Sequence, residues 1–414
     1  MRILFVGTNL PIPANNGQAI RTLSVVQALA ALGHEVTFTS FAARSHADSL
    51  QPLSSWCREI EVMPQAVAYL SQHTSYFRRA MCFFQSKPYS VERFRSKQMQ
   101  TKIQRFLEKG NLDLIVADGI YALVNIPETN VPIALNCHNV EHVIVQRYAA
   151  MERNLPKRRY AAAEARWIKE VEREACERVS VAMVCSSTDR ELLQELRPEL
   201  PVFVVPNSVD TDSYTPNEIG SPDENAPVLL FQGAMDWYPN RDAVEFFVTN
   251  IFPFILKQFP SARFVIAGRN PPPEFVKRLE VRDSVEFTGT VPDMRPYLSS
   301  ATLVVVPLRL GSGTRIKILE ACAAGKAVVS TKLGAEGLDL VENKEIILAE
   351  HAAGFGRAVT SLLEDPVRRA AIARAGRAKT VERYSHLALK RTVDDVVSHL
   401  LHSNEPAMAS EAVR

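Results

Sequence analysis

The sequence lacks several signatures that would assign a function class. Its 414 residues carry 48 Lys and Arg against 46 Asp and Glu, so the formal net charge is only +2. Proteins that bind nucleic acid usually present a strongly basic surface, and we therefore expect no nucleic-acid partner. The six cysteines are scattered and contain no C-x-x-C pair. This pattern argues against a zinc or redox motif and favours reduced thiols.

Long apolar runs are also missing. No stretch of about 18 uncharged apolar residues occurs, which is the length that a membrane-spanning helix requires. The first apolar run ends at Gly7 and is followed by Pro11 and Pro13, so it lacks the apolar core and cleavage site of a secretory signal. We expect a cytoplasmic protein whose membrane contact is at most peripheral, at the inner face.

What the sequence does contain is an alternation of short apolar runs with helical segments. The run Arg2–Val6 predicts a buried strand, residues 18–32 predict a helix, and Glu35–Phe41 predicts a second strand. The same alternation starts again at Val228–Gln232, and residues 241–259 predict a helix that is interrupted near Pro253. Two such runs predict an α/β protein with two parallel sheets.

A segment rich in Pro, Asn, Asp, Ser and Gly, residues 205–226, predicts a linker between the two halves. Ligands of open parallel sheets bind beyond the carboxyl ends of the strands, so we expect a site in a cleft between two facing domains. The predicted divisions are a first domain over 1–205, a second domain over 206–385, a helix over 386–402 that packs back on the first domain, and a flexible tail over 403–414.

The most informative motif is a glycine-rich turn before a helix. Gly311 and Gly313 would let the backbone approach a ligand closely, and Thr314 would cap a helix beginning at Arg315. Free N–H groups and the positive end of a helix dipole suit a phosphate, and Arg315 and Lys317 add positive charge there.

Glu320 lies three residues after Lys317, on the same face of that predicted helix. Its carboxylate would be placed to accept hydrogen bonds from a ribose diol. The alternative is an ordinary exposed Lys–Glu pair on a capped surface helix, an arrangement that contributes only a few tenths of a kcal/mol.

Two other loops follow predicted strands. Gly17 opens the first helix, and Gly233 and Asn240 lie in the loop after Val228–Gln232. Neither loop matches G-x-G-x-x-G, so a dinucleotide fingerprint is not indicated. The interpretations left open are contact with a phosphate or sugar and a plain turn with a helix cap.

His138 follows the apolar run Val131–Leu135, at the expected functional edge of the first sheet. The neighbouring Glu141 and His142 do not have the spacing of a known zinc site. His138 is therefore either a residue that contacts substrate or a structural histidine.

Residues 76–109 contain nine Lys and Arg but only two Glu. In addition to Tyr76, they contain six other Phe and Tyr residues. One interpretation is a solvated helical face over a buried aromatic stripe. The other is a patch that contacts a membrane surface or an anionic acceptor.

Taken in order, these motifs resemble those of the GT4 glycosyltransferases, and the resemblance covers nearly the whole chain. It rests on the first glycine loop, on His138-Asn139, and on four further segments: VPNSVD, FQGAMDWYPN, GSGTRIKILEACAAGKAVVST and GAEGL. The resemblance implies the GT-B fold, with two facing Rossmann-like domains. It also implies transfer, with retention, from a nucleotide-sugar to a glycan, lipid-linked or small-molecule acceptor, without metal or other cofactor. Surface polysaccharide or glycoconjugate biosynthesis is the implied pathway.

The resemblance also implies roles for particular residues. Glu320 matches the second glutamate of the E-x7-E motif, which binds the ribose, and His138 matches a histidine that faces the donor sugar. Gly17 matches a glycine near the donor phosphate. The first glutamate of the motif falls at Ser312, a departure from the family. Basic residues that are frequent after the Gly233 strand are absent too, so Arg315 and Lys317 would supply the phosphate charge instead.

Three functions therefore compete: a sugar transferase, a nucleotide-sugar epimerase of similar fold, and a non-catalytic protein that binds a nucleotide or glycan. An epimerase would need acid and base carboxylates and no second substrate. The residue at Ser312 keeps the non-catalytic alternative open.

Overall fold

The computed structural model describes residues 1–14, 16–42, 50–64, 72–214, 216, 226–279, 284–311, 313 and 315–403, and side chains within residues 64–76 are not described. Contacts divide the chain into two compact units. The first comprises Met1–Asn207 and the chain from Leu389 onward, and the second comprises Ser208–Ala388. Composition alone places these boundaries at 205 and 385. Most of the predicted tail, residues 404–414, lies outside the described residues.

The first unit contains a seven-stranded parallel sheet with the order β3-β2-β1-β4-β5-β6-β7. Its strands are β1 Arg2–Val6, β2 Glu35–Ala42, β3 Glu59–Pro64, β4 Leu114–Ala117, β5 Ile133–Asn136, β6 Val181–Val184 and β7 Val202–Val204. Its helices are α1 Gly17–Ala31, α2 Gln51–Ser54, α3 Gln72–Phe84, α4 Tyr89–Glu92, α5 Lys97–Glu108, α6 Ile120–Leu123, α7 Glu141–Met151, α8 Leu155–Arg178 and α9 Ser187–Leu196.

These strands are short apolar runs because helices cover the sheet. All four residues of β4 and all four of β5 are buried. On one side the sheet packs with the C-terminal helix, α17, His386–Ser403, whose Leu389, Val393 and Val397 share a core with Ile3 and Phe5. Their spacing of four residues places them on one face of the helix.

The second unit contains a six-stranded parallel sheet with the order β10-β9-β8-β11-β12-β13. Its strands are β8 Val228–Gln232, β9 Arg263–Ala267, β10 Val285–Gly289, β11 Leu303–Val306, β12 Val328–Ser330 and β13 Ile347–Leu348. Its helices are α10 Tyr238–Phe246, α11 Phe252–Gln258, α12 Pro273–Leu279, α13 Arg295–Ser300, α14 Ile316–Ala323, α15 Ala352–Glu364 and α16 Pro366–Tyr384. The prediction of two parallel sheets is confirmed.

The helix predicted over residues 241–259 is divided in the structure. It begins earlier, as α10, passes through a π-helical segment at Phe247–Ile251, and resumes as α11. Pro253 lies in the first turn of α11, where its missing N–H group needs no partner within the helix. The interruption predicted near this proline is therefore observed.

Candidate functional site

In the second unit, Lys317 of α14 reaches the loop that follows β8. Its ammonium donates a hydrogen bond to Oδ1 of Asn240 at 3.0 Å and lies 4.3 Å from the centre of the Phe231 ring. The Asn240 amide in turn donates to the carbonyl of Ala234 at 2.8 Å. Lys317 is thus fixed at the carboxyl end of the central strand, where parallel sheets bind their ligands.

Gly233 is the residue that makes room for this lysine. A Cβ atom at this position would lie 2.8 Å from the Lys317 nitrogen and 2.8 Å from the Asn240 amide nitrogen. The φ angle of Gly233 is +155°, a value that other residues rarely adopt. The carbonyl of Gly233 approaches Gly268, after β9, so closely that a Cβ there would lie 1.8 Å from it. Two glycines therefore allow the two loops to touch.

Glu320 is held by residues from outside its own helix. The Tyr214 hydroxyl donates to Oε1 at 3.1 Å, and the Gln232 amide donates to Oε2 at 2.7 Å and to the Lys317 carbonyl at 3.1 Å. Lys317 and Glu320 are both partly buried. The alternative of an exposed Lys–Glu surface pair is therefore wrong.

This environment shifts the pKa values of both Lys317 and Glu320. Burial, together with the positive charge of Arg315, lowers the pKa of Lys317 to about 7. Burial raises the pKa of Glu320 to about 7, against the opposing effect of the hydrogen bond from Tyr214 and of the Lys317 charge. Both side chains are near their midpoints at neutral pH, so an arriving ligand charge can change their protonation.

The glycine-rich turn has the backbone that its glycines permit. Gly311 and Gly313 have φ angles of +105° and +84°, in the region that favours glycine. Helix α14 begins at Ile316, one residue later than predicted, and Arg315 occupies the cap position without a capping side-chain bond. The guanidinium of Arg315 lies beside Gly311, 2.9 Å from where a Cβ would be. Thr314 and Ser312 lie outside the described residues, so the cap predicted at Thr314 has no structural description.

In the first unit, His138 follows β5 and is paired with Asp118, which follows β4. The His138 Nε2 atom is 2.9 Å from Oδ1 of Asp118. This buried carboxylate also accepts hydrogen bonds of 2.7 Å from the Thr22 hydroxyl and the Asn136 amide. Burial favours the neutral acid, but His138 and these two donors hold the pKa of Asp118 below its ordinary value. Nδ1 of His138 is buried and has no hydrogen-bond partner.

Gly17 is the first residue of α1, and Asn16 caps that helix by accepting from the Ala19 N–H at 2.9 Å. Farther along, the buried Arg21 donates to Oδ1 of Asn136 at 3.0 Å and to the Val205 carbonyl at 2.6 Å. The helix cap, one of the two interpretations left open for the loop at Gly17, is therefore present. A donor contact at Gly17 stays a prediction.

Sequence reasoning missed Asp118, Gln232 and Tyr214. Asp118 had a usable signal, because it comes directly after the apolar run of β4. Tyr214 had none, since it lies in the segment predicted to be a linker. The division between the two units, between Asn207 and Ser208, falls within that segment. Its part up to Tyr214 contacts the second unit: the Arg377 guanidinium donates to the Tyr214 carbonyl at 2.6 Å, and the Val209 N–H donates to the Tyr384 carbonyl at 2.8 Å.

Metal ligands and membrane-spanning helices are both missing from the described part of the chain. No group of three or more His, Cys, Asp or Glu side chains there has a geometry that could hold a metal ion. No helix within the same ranges is long and apolar enough to cross a membrane.

Two relatives have informative names. The chain is 26% identical over 182 residues to a phosphatidylinositol N-acetylglucosaminyltransferase subunit from Arabidopsis thaliana, covering 42% of this chain and 39% of that protein. It is 30% identical over 188 residues to the phosphatidyl-myo-inositol mannosyltransferase of Mycolicibacterium smegmatis, covering 44% of this chain and 47% of that protein. The match thus spans less than half the length of either relative.

Two solved structures share the fold over nearly the whole chain. Sucrose-phosphate synthase from Thermosynechococcus elongatus superposes with a TM-score of 0.71 at 17% identity, covering 97% of this chain and 100% of that one. Anabaena HepE in complex with UDP and glucose superposes with a TM-score of 0.64 at 15% identity, covering 96% and 100%. Both similarities establish the fold.

Two family models match consecutive parts of the chain. Residues 15–213 match the model described as Glycosyltransferase Family 4, and residues 226–365 match the model described as Glycosyl transferases group 1. The order of these matches follows the two units of the structure. The chain therefore belongs to the GT4 glycosyltransferases and has the GT-B fold.

Proposed function

We propose that this protein is a retaining hexosyltransferase that uses a nucleotide-sugar donor. The observation that carries this proposal is the cluster in the second unit. A cation, Lys317, and a carboxylate, Glu320, are held one helical turn apart beside glycine turns at the carboxyl end of a parallel sheet. This set of groups suits a ligand with a phosphate at one end and a ribose diol next to it. The binding of UDP by the similar Anabaena protein supports the same assignment.

In the proposed reaction, an acceptor hydroxyl oxygen bonds to the anomeric carbon of the donor sugar. The bond from that carbon to the diphosphate oxygen breaks, and the diphosphate leaves with the electron pair. The hydroxyl proton passes to a phosphate oxygen on the same face, which retains the configuration. Lys317 and Arg315 stabilise the negative charge of the leaving group, and the backbone at Gly311 and Gly313 approaches the phosphates. No metal or other cofactor takes part.

The other residues of the proposal position these groups. Asn240 and Gly233 hold the ammonium of Lys317 at the strand end. Thr314 and Gly17 are proposed to contact the donor as well. His138 acts on the donor sugar, because its Nδ1 atom is buried without a partner and can bond to a sugar hydroxyl.

The donor assignment is tested by calorimetry with UDP, GDP and their sugar conjugates. We expect Glu320→Ala to weaken binding by roughly 1–3 kcal/mol, the cost of losing hydrogen bonds to a charged group. The matched control is Glu364→Ala, at an exposed position on α15 of the same unit. Affinity that is equal in both variants would show that Glu320 does not bind the ribose.

Transfer is separated from epimerisation and from simple binding by the need for an acceptor. Purified protein is incubated with the nucleotide-sugar that binds in the calorimetry, with and without extracted glycolipids. A transferase releases the nucleoside diphosphate much faster when acceptor is present. Acceptor-independent change of the sugar would instead identify an epimerase, and no turnover under either condition would leave a binding protein.

We also propose that the acceptor is lipid-linked and that the chain contacts the membrane through residues 76–109. The names of the two relatives pair sugar transfer with phosphatidylinositol, a lipid acceptor. On α3, Phe77, Met81 and Phe84 are 69%, 45% and 84% exposed, and their spacing of four and three residues places them on one helix face. Phe83, which is 47% exposed, also contacts the ring of Trp167.

This exposed face has the composition of an interfacial helix. Apolar side chains insert into the headgroup region, while nearby cations add about 1 kcal/mol each at an anionic surface. In the same segment, Lys87, three residues after α3, and Lys97, the first residue of α5, are exposed. In contrast, Phe106 and Tyr89 of the same segment are buried, so the segment contains both a packed stripe and an outward apolar face.

Co-sedimentation with vesicles of phosphatidylcholine and phosphatidylglycerol tests this membrane contact. We expect binding that weakens as salt rises and is lost in the double variant Phe77→Ser/Phe84→Ser. Val367→Ser, at a position 78% exposed in the second unit, is the control that should bind normally. Wild-type protein that ignores these vesicles at low salt would refute the proposal.

A further inference from the structure

A cavity of about 590 Å³ lies within the first unit, among α3, α4, α7 and α8. None of the residues assigned so far to the donor or to His138 lines it. Three tyrosines contribute to its walls: Tyr89 of α4, Tyr148 of α7 and Tyr160 of α8. Aromatic faces of this kind pack against the apolar face of a sugar ring.

The floor of the cavity contains unpartnered polar atoms. Glu164 is only 5% exposed, and its Oε1 atom accepts from the Ser90 N–H at 2.8 Å. Its Oε2 atom is buried and has no hydrogen-bond partner, and the same holds for the Ser90 hydroxyl. A buried carboxylate oxygen without a donor is costly. Hydroxyl groups of a bound molecule would satisfy both atoms.

Three cations surround the mouth: Arg79, Arg93 and Lys157. Within the described residues none of the three forms an ion pair with a carboxylate. Arg79 instead stacks over the Tyr89 ring, with its guanidinium carbon 5.0 Å from the ring centre. All three side chains belong to exposed residues, so a ligand can reach them. Guanidinium groups in such positions bind phosphate oxygens well.

We propose that this cavity binds a phosphorylated saccharide or polyol, with hydroxyls on Glu164 and Ser90 and the phosphate on Arg79, Arg93 and Lys157. The inference rests on the proposed function, for which it supplies the class of acceptor. The ligand is either a soluble sugar phosphate or the headgroup of a lipid. The chemistry recognised is the same in both cases, because the cavity contacts only the polyol and its phosphate.

Ligand-observed NMR on the full chain, saturated with UDP to block the donor site, tests the soluble form. The probes are glucose 1-phosphate, mannose 1-phosphate, free glucose and inorganic phosphate. We expect a hexose phosphate to bind more tightly than glucose or phosphate alone, and Glu164→Gln or Arg93→Gln to weaken it by about tenfold. Arg166→Gln, an exposed cation elsewhere on α8, should change nothing.

Vesicles of phosphatidylcholine with phosphatidylinositol, compared with phosphatidylglycerol, test the lipid form. Preference for phosphatidylinositol that is lost in Glu164→Gln identifies a lipid headgroup and agrees with the lipid-linked acceptor proposed above. Hexose phosphate binding alone identifies a soluble ligand and contradicts that lipid-linked acceptor. The proposal is overturned if neither probe binds, or if binding is indifferent to Glu164→Gln and Arg93→Gln. UDP binding is measured in every variant. Its absence in the wild type would refute the proposed function separately, and its retention in the variants shows that they fold.

Discussion

Lys317 and Glu320 are three residues apart on one helix, yet each is held by partners from outside it. Asn240 accepts from the lysine, while Tyr214 and Gln232 donate to the glutamate. Burial brings both pKa values to about 7. At the scale of single residues, the proposed donor site therefore contains a pair of groups whose charges change near neutral pH.

This pair predicts a bell-shaped pH dependence of UDP affinity. Protonated Lys317 attracts the phosphates, so affinity falls as pH rises above about 7, by up to about tenfold per pH unit. Ionised Glu320 accepts from the ribose, so affinity also falls as pH drops below about 7. Calorimetry from about pH 5 to 9 measures the curve.

The two limbs of this curve are assigned by variants. Lys317→Met should flatten the alkaline limb and Glu320→Gln the acidic limb. The phosphate of UDP titrates identically against all three proteins, so its own contribution cancels in the comparison. An unchanged alkaline limb in Lys317→Met would mean that another group controls it.

His138 and Asp118 form the corresponding pair in the first unit, 2.9 Å apart. The Asp118 carboxylate orients the His138 ring, as in other histidine–carboxylate pairs: Nε2 faces Asp118, and Nδ1 faces away from it. Asp118→Asn keeps the size of the side chain but loses the charge, so we expect kcat to fall by about tenfold or more with little change in UDP affinity. Steady-state kinetics measure the split. Asp395→Asn, exposed on α17, should behave as wild type, and equal kcat in the two variants would remove Asp118 from the site.

At the scale of elements, the loops after strands decide what the site can hold. Gly233 leaves the space in which Lys317 lies, and Gly311 and Gly313 allow the left-handed turn before α14. Elsewhere in the second unit, Pro253 accounts for the start of α11 after the π-helical segment, since proline fits the first turn of a helix but not its interior. Glycine and proline thus set where functional side chains are presented.

Gly233→Ala should displace the Lys317 ammonium, because the new methyl group would lie 2.8 Å from it. We expect UDP affinity to fall by at least about tenfold while circular dichroism shows an intact fold. Gly354→Ala on α15 is the matched control, as nothing lies within 4 Å of its added Cβ, and it should bind UDP normally. Normal binding by Gly233→Ala would show that the lysine position is not critical.

At the scale of the whole molecule, two units each bury a parallel sheet under helices and place polar residues at strand ends. The buried functional groups oppose stability. The pKa of Lys317 falls from 10.5 to about 7 on folding, so folding is penalised at every pH below 10.5, increasingly down to about pH 7, below which the penalty is constant. A cost in stability of this kind fits the role in donor binding that is proposed for Lys317.

Lys317→Met should therefore raise the melting temperature of the ligand-free protein at neutral pH. A gain of 1 kcal/mol corresponds to about 2–4 °C for a unit of this size. Differential scanning calorimetry without UDP measures it, with Lys332→Met at an exposed position as the control. UDP should narrow or reverse this difference, because the wild type binds UDP more tightly and therefore gains more stability from it. A lower melting temperature for ligand-free Lys317→Met would show that its bond to Asn240 outweighs its burial.

Much of the fold could be predicted from local patterns. The run Val228–Gln232 was expected as a strand and is β8 with the same bounds, because a buried strand of a parallel sheet is a continuous apolar run. Helix α14 begins one residue later than predicted. The division between the units falls inside the predicted linker, but Val209–Tyr214 at its start belongs to the second unit. Composition cannot show which polar segment has a partner elsewhere.

The sequence by itself determined the two sheets, the family and the glycine turn that precedes Glu320, because these depend on residues that are neighbours along the chain. Only the tertiary structure decided how Glu320 is held. Its partners Tyr214 and Gln232 lie 106 and 88 residues away, and the burial that moves its pKa comes from several elements at once. The cavity above Glu164 is likewise assembled from four helices. Such features depend on contacts between distant segments, which no local pattern of hydrophobicity or spacing specifies.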